Sequence, residues 1–545
     1  MLRLLLPLVL LVALPVFADD RSRLADLLAP ALANGGTVTI PPGDYHLDGA
    51  EPLPLPSRTT VFAHGARFHF PEHLGDAARA VLFAGSDVVE LSWHGGEFLG
   101  RVFDPGQREN AWEPNVSTRA IEITTTRPGG TRDLLFRDVR SNGVAGAVIG
   151  VHGLKEKGSE GRVFAWAERV VLDSCTLLRS GKFMWDYGYL WQIVTWPEDY
   201  EAWEVERAWK YFRADLVHEV TRIEGGRLFF EPGTKPLPVS RSLEPREALS
   251  FLGNDLPGGL VRGRQYFVVD AGPDFIRIAE TPEGAPLELT DADAGNLRFV
   301  HNLSSAYLAW SPTGAGPGKG AFDLTAARDV RVTGCQLSAL GDTMHIQACD
   351  NIVFANNQIL GSRMGAFFLA EFCRNATVTG NLVDGGNGSR VMSVEKSCTD
   401  VTITGNTFRN GGRGCWINQP VNFILAHNVF VNNTTKNAAD PRRGRIAYQT
   451  GRPVQFPELY FTLYEPDASY GPVIVRDNVF QLGADAPEEA VTFAPNGRGL
   501  EFSGNRFTGK PAVLAVDPSC VDLHVDANPG ARTVRKSVDF NHGRR

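Results

Sequence analysis

The chain has 545 residues, 43% of them hydrophobic, and a formal net charge of −8. A weakly acidic surface is a poor electrostatic match for nucleic acid, and no stretch beyond the N-terminus reaches the ~18 uninterrupted apolar residues that a membrane helix needs. The 7 cysteines are an odd number, so at least one thiol stays unpaired within the chain.

The opening segment, "MLRLLLPLVLLVALPVFA", has one basic residue, an apolar run and small residues before "DD". That pattern predicts a Sec-type signal peptide over 1–18, cleaved near Ala18, and a secreted or periplasmic protein without membrane insertion. Next, "RSRLADLLAPALANGG" predicts a short amphipathic helix, and "TVTIPPGDYHL" a strand and turn. Together they are expected to cover the open edge of the next structural layer.

The rest of the chain is largely repetitive. "ARDVRVTGC" (327–335), "CDNIVFANN" (349–357), "CRNATVTGN" (373–381), "CTDVTITGN" (398–406) and "PVNFILAHN" (420–428) set a unit of about 24 residues, with weaker copies at 168–175, 473–480 and 500–507. Alternating apolar residues indicate short strands, and Gly and Asn mark tight bends between them. A fixed period of this size without a helical stripe predicts a right-handed parallel β-helix, whose coils stack at about 4.8 Å. Asn357, Asn381, Asn406 and Asn428 are then expected to form an inward ladder. Cys349, Cys373 and Cys398 are expected to form a second stack that packs as small hydrophobes rather than pairing.

The repeat is interrupted over 183–305. There "FMWDYGYLWQIVTWPEDYEAWEVERAWKYFR" predicts a Trp-rich helix starting at Pro197, and the strand-like residues after it a small β module. A second excursion, 434–471, reads as a long loop containing the basic run "DPRRGR". The expected fold class is therefore all-β: a right-handed parallel β-helix (solenoid) with an N-terminal capping helix and an inserted small α+β subdomain. Its expected divisions are a signal peptide (1–18), the cap and first coils (19–182), the insert (183–305), the central and C-terminal coils (306–530) and a tail (531–545).

The segment "GGTVTIPPGDY" resembles the opening of the pectin-lyase-like β-helix superfamily, whose members include many polysaccharide-active enzymes. The resemblance spans about 21–530 and implies the fold more strongly than any reaction. The stretch from Asn254 to Asp291 also looks like a small all-β module of phage-tail and adhesin proteins, which implies glycan binding without catalysis as an alternative.

Within the coils, Met344, Ile346, Leu369, Met392, Val394 and Ile417 are expected to point inward. That leaves Asp342, His345, Gln347, Glu371, Ser393, Glu395, Lys396, Trp416 and Asn418 as a polar strip. Glu371 and Glu395 are expected near one column on adjacent coils, about 5 to 7 Å apart, with Asp342 one coil away. Two such carboxyls push one pKa upward, giving the neutral acid and ionised partner that glycosidic cleavage requires. Arg363, Arg390 and Arg413 begin successive coils after "GS", "GS" and "GG", a stack suited to carboxylates or sulfates. Solvated face residues are the plainer reading of the same charges. Gln347 and Asn418 are expected to contact substrate, Trp416 to stack on a sugar ring, and His345 to carry a proton or simply rest in a hydrogen bond.

"LSALGDTMHIQACDNIVFANNQI" resembles the "GDD" coil of the pectin-degrading glycoside hydrolases, which implies a general-acid role for Asp342. Thr343 replaces that family's second Asp, Gly320 stands where its third is expected, and "RMG" at 363–365 lacks its His. "SVEKSCTDVTITGNTF" looks like the "NKS…NTF" coil of alginate and chondroitin lyases, which implies Lys396 as a base, with Arg390 or Arg413 neutralising the substrate carboxylate. The expectation is a monomeric glycoside hydrolase acting on an acidic or sulfated polysaccharide, with a uronate lyase second. The sequence carries no metal or cofactor signature.

Overall fold

In a computed structural model, the described residues run from 20 to 539, except 48–50, 71–78, 101–116, 157–161, 182–197, 199–201, 203–216, 232–236, 242–246, 253–255, 263, 291, 294–296, 302–318, 340, 363–364, 387–388 and 435–455. The segment predicted as a signal peptide, most of the Trp-rich segment, Arg363 and "DPRRGR" lie outside the described residues. No helix among the described residues is long and apolar enough to cross a membrane.

Three long parallel sheets of 13, 12 and 13 strands wind along the chain, each strand pairing with the equivalent strand of the coil before and after it. The first sheet runs from Gly36–Thr39 to Val521–Asp526, the second from Gly43–His46 to Arg506–Thr508, and the third from Leu53–Pro54 to Ala531–Arg535. Sequence-adjacent strands fall on different sheets, so each sheet is built from residues one coil apart. This is a parallel β-helix. The helix Arg21–Asn34 turns Leu24, Leu28 and Ala31 onto the first coil and continues the core past its open end.

Bend chemistry explains the period. Backbone N–H groups at the corner between the first two sheets have no strand partner, and the Asn ladder supplies one. The Asn357 backbone N–H and Nδ2 both donate to Asn381 Oδ1, at 2.8 and 3.1 Å. Asn381 does the same to Asn406, and Asn406 to Asn428. The ladder continues through Asn478 and Asn505 to Asn528. At another corner the Cys349, Cys373, Cys398 and Cys520 thiols each donate to a carbonyl of the preceding coil. All seven cysteines are free and buried. Phe408, Phe430, Phe480 and Phe507 stack down the second sheet with centroids 4.7 to 5.2 Å apart, which is the coil spacing expressed in rings.

Between the coil ending in Thr176–Ser180 and the one beginning at Lys319–Thr325 lies a separate seven-stranded sheet, antiparallel throughout, spanning Val217–Glu224 to Arg298–His301. It has its own apolar core around Phe251, Tyr266 and Phe299. The solenoid register passes directly from Ile149–His152 to Lys319–Thr325, so the insertion leaves the third sheet unbroken.

Candidate active site

The outer face of the third sheet gathers nearly all the chemistry. Its inward positions are apolar and sealed: Phe322, Met344, Phe367 and Met392 form one column, Leu324, Ile346, Leu369, Val394 and Ile417 the next. The alternate residues therefore face outward in two columns, and the register adds a third, at the N-terminal edge of the strands, that does not follow this alternation.

The first column lies at the N-terminal edge of the strands. Lys319 pairs with Asp342, Gly365 pairs with Arg390, and the register of the neighbouring residues brings Arg390 beside Arg413. Lys319 Nζ is 3.7 Å from Asp342 Oδ2. Gly365 has a steric reason to lack a side chain, since a Cβ there would come within 2.8 Å of Asp342 Oδ1. Burial pushes the Asp342 carboxyl above its ordinary value, while Lys319, His345, Arg413 and Arg390 oppose the shift.

The middle column reads Glu122, Gly150, Asp323, His345, Phe368, Ser393, Trp416, Tyr460. His345 Nδ1 lies 2.8 Å from Asp323 Oδ1. Burial alone would raise the Asp323 pKa, but His345, His152 and Arg119 hold it well below the usual carboxylate range. Burial pushes the His345 imidazole down, Lys319 adds to the effect, and Asp323 offsets only part of it. The two shifts favour a carboxylate beside a neutral imidazole. Phe368 packs against two ionisable side chains: His345 stacks on it at 5.9 Å, and Lys319 Nζ lies 5.4 Å from its centroid.

The third column continues from Gln347 through Ala370 to Glu395, Asn418 and Thr462. Burial raises the Glu395 carboxyl to about 7; Lys319 and Arg390 oppose the rise, and Glu371 and Asp342 add to it. Four charged groups from four coils thus act on Glu395.

The geometry modifies several sequence expectations. The ladder pairs Leu369 with Val394, which sets Glu395 opposite Ala370 and Glu371 opposite Lys396, one residue out of column. Lys396 does not stand free as a base: Nζ is 3.4 Å from Glu465 Oε1 and 5.4 Å from the Tyr464 ring centroid. Trp416 is only 5% exposed; its indole N–H donates to Thr462 Oγ1 at 2.6 Å, and the Arg390 guanidinium lies 4.5 Å above its ring. The ring supports Arg390 instead of offering a bare face to a sugar. Asn418 is buried and donates to the same Thr462 hydroxyl at 2.8 Å. Gln347 is partly exposed at the strand end.

Lys319, Asp323, Phe368 and a second charged group escaped the sequence reading. That group surrounds Arg119, whose side chain is 1% exposed and lies 3.2 Å from Glu122, 3.0 Å from His152 Nε2 and 3.3 Å from Asp323 Oδ2. The available signal was the apolar bracket that repeats around one variable residue: "FDL", "MHI", "FFL", "MSV", "CWI", "LYF".

The family described as a right-handed β-helix region matches residues 313–452. No curated protein matches the sequence. Among solved structures, the chain is similar to the mannuronan C-5 epimerase AlgE6 A-module of Azotobacter vinelandii, at 10% identity over 95% of this chain and 96% of that one, with a TM-score of 0.43. It is similar to PfbA, a surface adhesin of Streptococcus pneumoniae, at 12% identity over 95% and 87%, TM-score 0.40. A third is the endo-xylogalacturonan hydrolase of Aspergillus tubingensis, at 11% identity over 96% and 97%, TM-score 0.37. With its three coiled parallel sheets, the chain has the right-handed parallel β-helix fold, and residues 313–452 carry the match to the family of that description.

Proposed function

We propose that the chain hydrolyses glycosidic bonds of an acidic polysaccharide laid across the third sheet, with Glu395 as proton donor and Asp342 as the ionised partner. The observation that carries this reading is the Glu395 carboxyl, raised to about 7 by burial among the carboxyls of Asp342 and Glu371 and the cations Lys319 and Arg390. A group titrating there still holds its proton near neutrality, as a general acid must. The ion pair with Lys319 supports the charged form of Asp342. Glu395–COOH gives its proton to the departing glycosidic oxygen while Asp342 takes one from the attacking water. Their backbones lie in the two outermost columns of the sheet. Lys319, Arg390 and Arg413 line one edge and suit a carboxylate-bearing substrate.

A second reading, β-elimination on a uronate, is favoured by one feature: His345 is held neutral beside Lys319 and is better placed than Lys396 to remove a proton. The experiment is digestion of polyuronates and of neutral polymers by wild type and Glu395→Gln. New reducing ends without unsaturated-uronate absorbance, lost in Glu395→Gln, are expected. Unsaturated products would replace hydrolysis with elimination, and binding without cleavage would leave a glycan-binding protein.

A further inference from the structure

Proposed proton donors and acceptors leave one built feature unused: the line of polar, ionisable groups running from Glu122 through Arg119 and His152 to Asp323 and His345. It crosses four successive coils of the third sheet, at register positions Glu122, Gly150, Asp323 and His345. Gly150 makes room for it, because a Cβ there would lie 2.7 Å from Arg119 Nη1 and 2.9 Å from His152 Nε2. Arg119 is thereby buried to 1% exposure in the middle of a β-helix face, an expensive place for a guanidinium unless its partners are fixed.

We infer that Asp323 is a positioning residue for the reaction proposed above: clamped by Arg119, it holds His345 as the Nδ1–H tautomer and so presents Nε2 to the groove as a proton acceptor beside Asp342. Each Asp323 oxygen has one task. Oδ2 accepts from Arg119 Nη2 at 3.3 Å, and Oδ1 accepts from His345 Nδ1 at 2.8 Å. Arg119 can only donate, so Asp323 cannot turn round without losing a charge-assisted bond. His345 Nε2 has no hydrogen bond among the described residues, and the side chain keeps 11% of its surface open. The groups facing the imidazole are Lys319, Asp342 and Asp323, with Phe368 stacked on it. Asp323 in turn faces His152 and Arg119. In turnover Nε2 accepts a hydrogen bond from the attacking water or from a sugar hydroxyl, and orients it toward Asp342.

The arrangement makes an unusual demand of Asp323→Asn. An amide offers one acceptor where two are required, and Arg119 takes it. The amide NH2 then faces His345 Nδ1, which must give up its hydrogen, so the ring changes to the Nε2–H tautomer. Removing the competitor with Arg119→Met in the same chain frees the amide to turn its oxygen to His345, and the original tautomer returns.

The experiment reads the tautomer directly, by nitrogen chemical shifts of 15N-histidine-labelled full-length protein near neutral pH, with the His345 signals assigned by their loss in His345→Gln. Wild type is expected as Nδ1–H, Asp323→Asn as Nε2–H, and Arg119→Met/Asp323→Asn as Nδ1–H again. In activity, Asp323→Asn is expected to lower kcat by about 100-fold with KM little changed, and the double variant to recover part of that loss. An Nε2–H wild type, or an Asp323→Asn protein with an unchanged tautomer, overturns the inference. The wild-type measurement needs no variant, so it remains decisive if either substitution prevents folding. Absence of cleavage by wild type would overturn the hydrolase reading alone, since the tautomer is read without substrate.

Discussion

Glu458→Gln isolates one buried ionisation from the rest of the molecule. Glu458 is 0% exposed, and its carboxylate accepts from Asn433 Nδ2 at 2.6 Å and from the Asn433 backbone N–H at 3.2 Å. Burial nevertheless dominates these two bonds and raises its pKa from 4.5 to about 7. A carboxyl raised on folding stabilises most below its unfolded pKa, and that stability is lost as pH rises through the folded value. The window here is therefore about pH 4.5 to 7, and a pKa difference of about 2.5 corresponds to about 3 kcal/mol. Gln removes the titration. It also sets an amide NH2 against one Asn433 donor, but that penalty is the same at every pH and cancels in a comparison. The assay is urea unfolding of wild type and Glu458→Gln, followed by tryptophan fluorescence, at about pH 4.5 and pH 8. The stability of the variant relative to wild type should improve by about 3 kcal/mol between the two. Glu395 titrates in both proteins and drops out of the difference. An equal stability difference at both pH values would refute the assignment of a buried, reluctant carboxyl to this position.

Three further outcomes are expected. Asn406→Ala removes an acceptor used by two Asn381 donors and a donor group reaching Val378, Thr404 and Asn428; with unsatisfied buried groups costing about 1 to 3 kcal/mol each, urea unfolding should show a loss of roughly 4 kcal/mol. Gly365→Ala should displace Asp342, whose Oδ1 lies 2.8 Å from the new Cβ, and lower kcat by about 10-fold or more while leaving the urea midpoint within a few tenths of a unit. In kcat/KM, wild type should lose activity as pH rises through about 7, where the Glu395 proton is lost, and this limb should vanish from the residual activity of Glu395→Gln.

The winding was legible because its determinants repeat identically. From the coil of Asn357 onward the same orphaned backbone donors stand at the same corner, so Asn357, Asn381, Asn406 and Asn428 recur in one written form, as do Cys349, Cys373 and Cys398. The inserted antiparallel sheet was visible as a break in that repetition. Sequence reading reached Asp342, Glu395, Arg390 and Arg413 because they lie close to these landmarks. It placed Glu371 and Glu395 near one column on adjacent coils; they are 24 residues apart where the coil is 25, as Leu369 opposite Val394 shows, so they fall one position out of register. In a parallel ladder one surplus residue moves a side chain to the neighbouring column.

The middle column was hidden for the opposite reason. A core position in a solenoid meets the same surroundings on every coil and selects the same residue type, whereas a groove position meets a different part of a substrate on each coil. Asp323, His345, Phe368, Ser393, Trp416 and Tyr460 share a register and no chemistry. What repeats is only the apolar pair enclosing them. Aligning on that pair would have placed Asp323 beside His345 without coordinates, and would have marked the column by its variety. Arg119 needed more than alignment. It precedes Asp323 by 204 residues, and the insert at 183–305 lies between them in the chain. Only the register passing from Ile149–His152 straight to Lys319–Thr325 brings guanidinium and carboxylate together. The same continuity places the groove's N-terminal wall on coils that precede the insert and its carboxyls on coils that come after it.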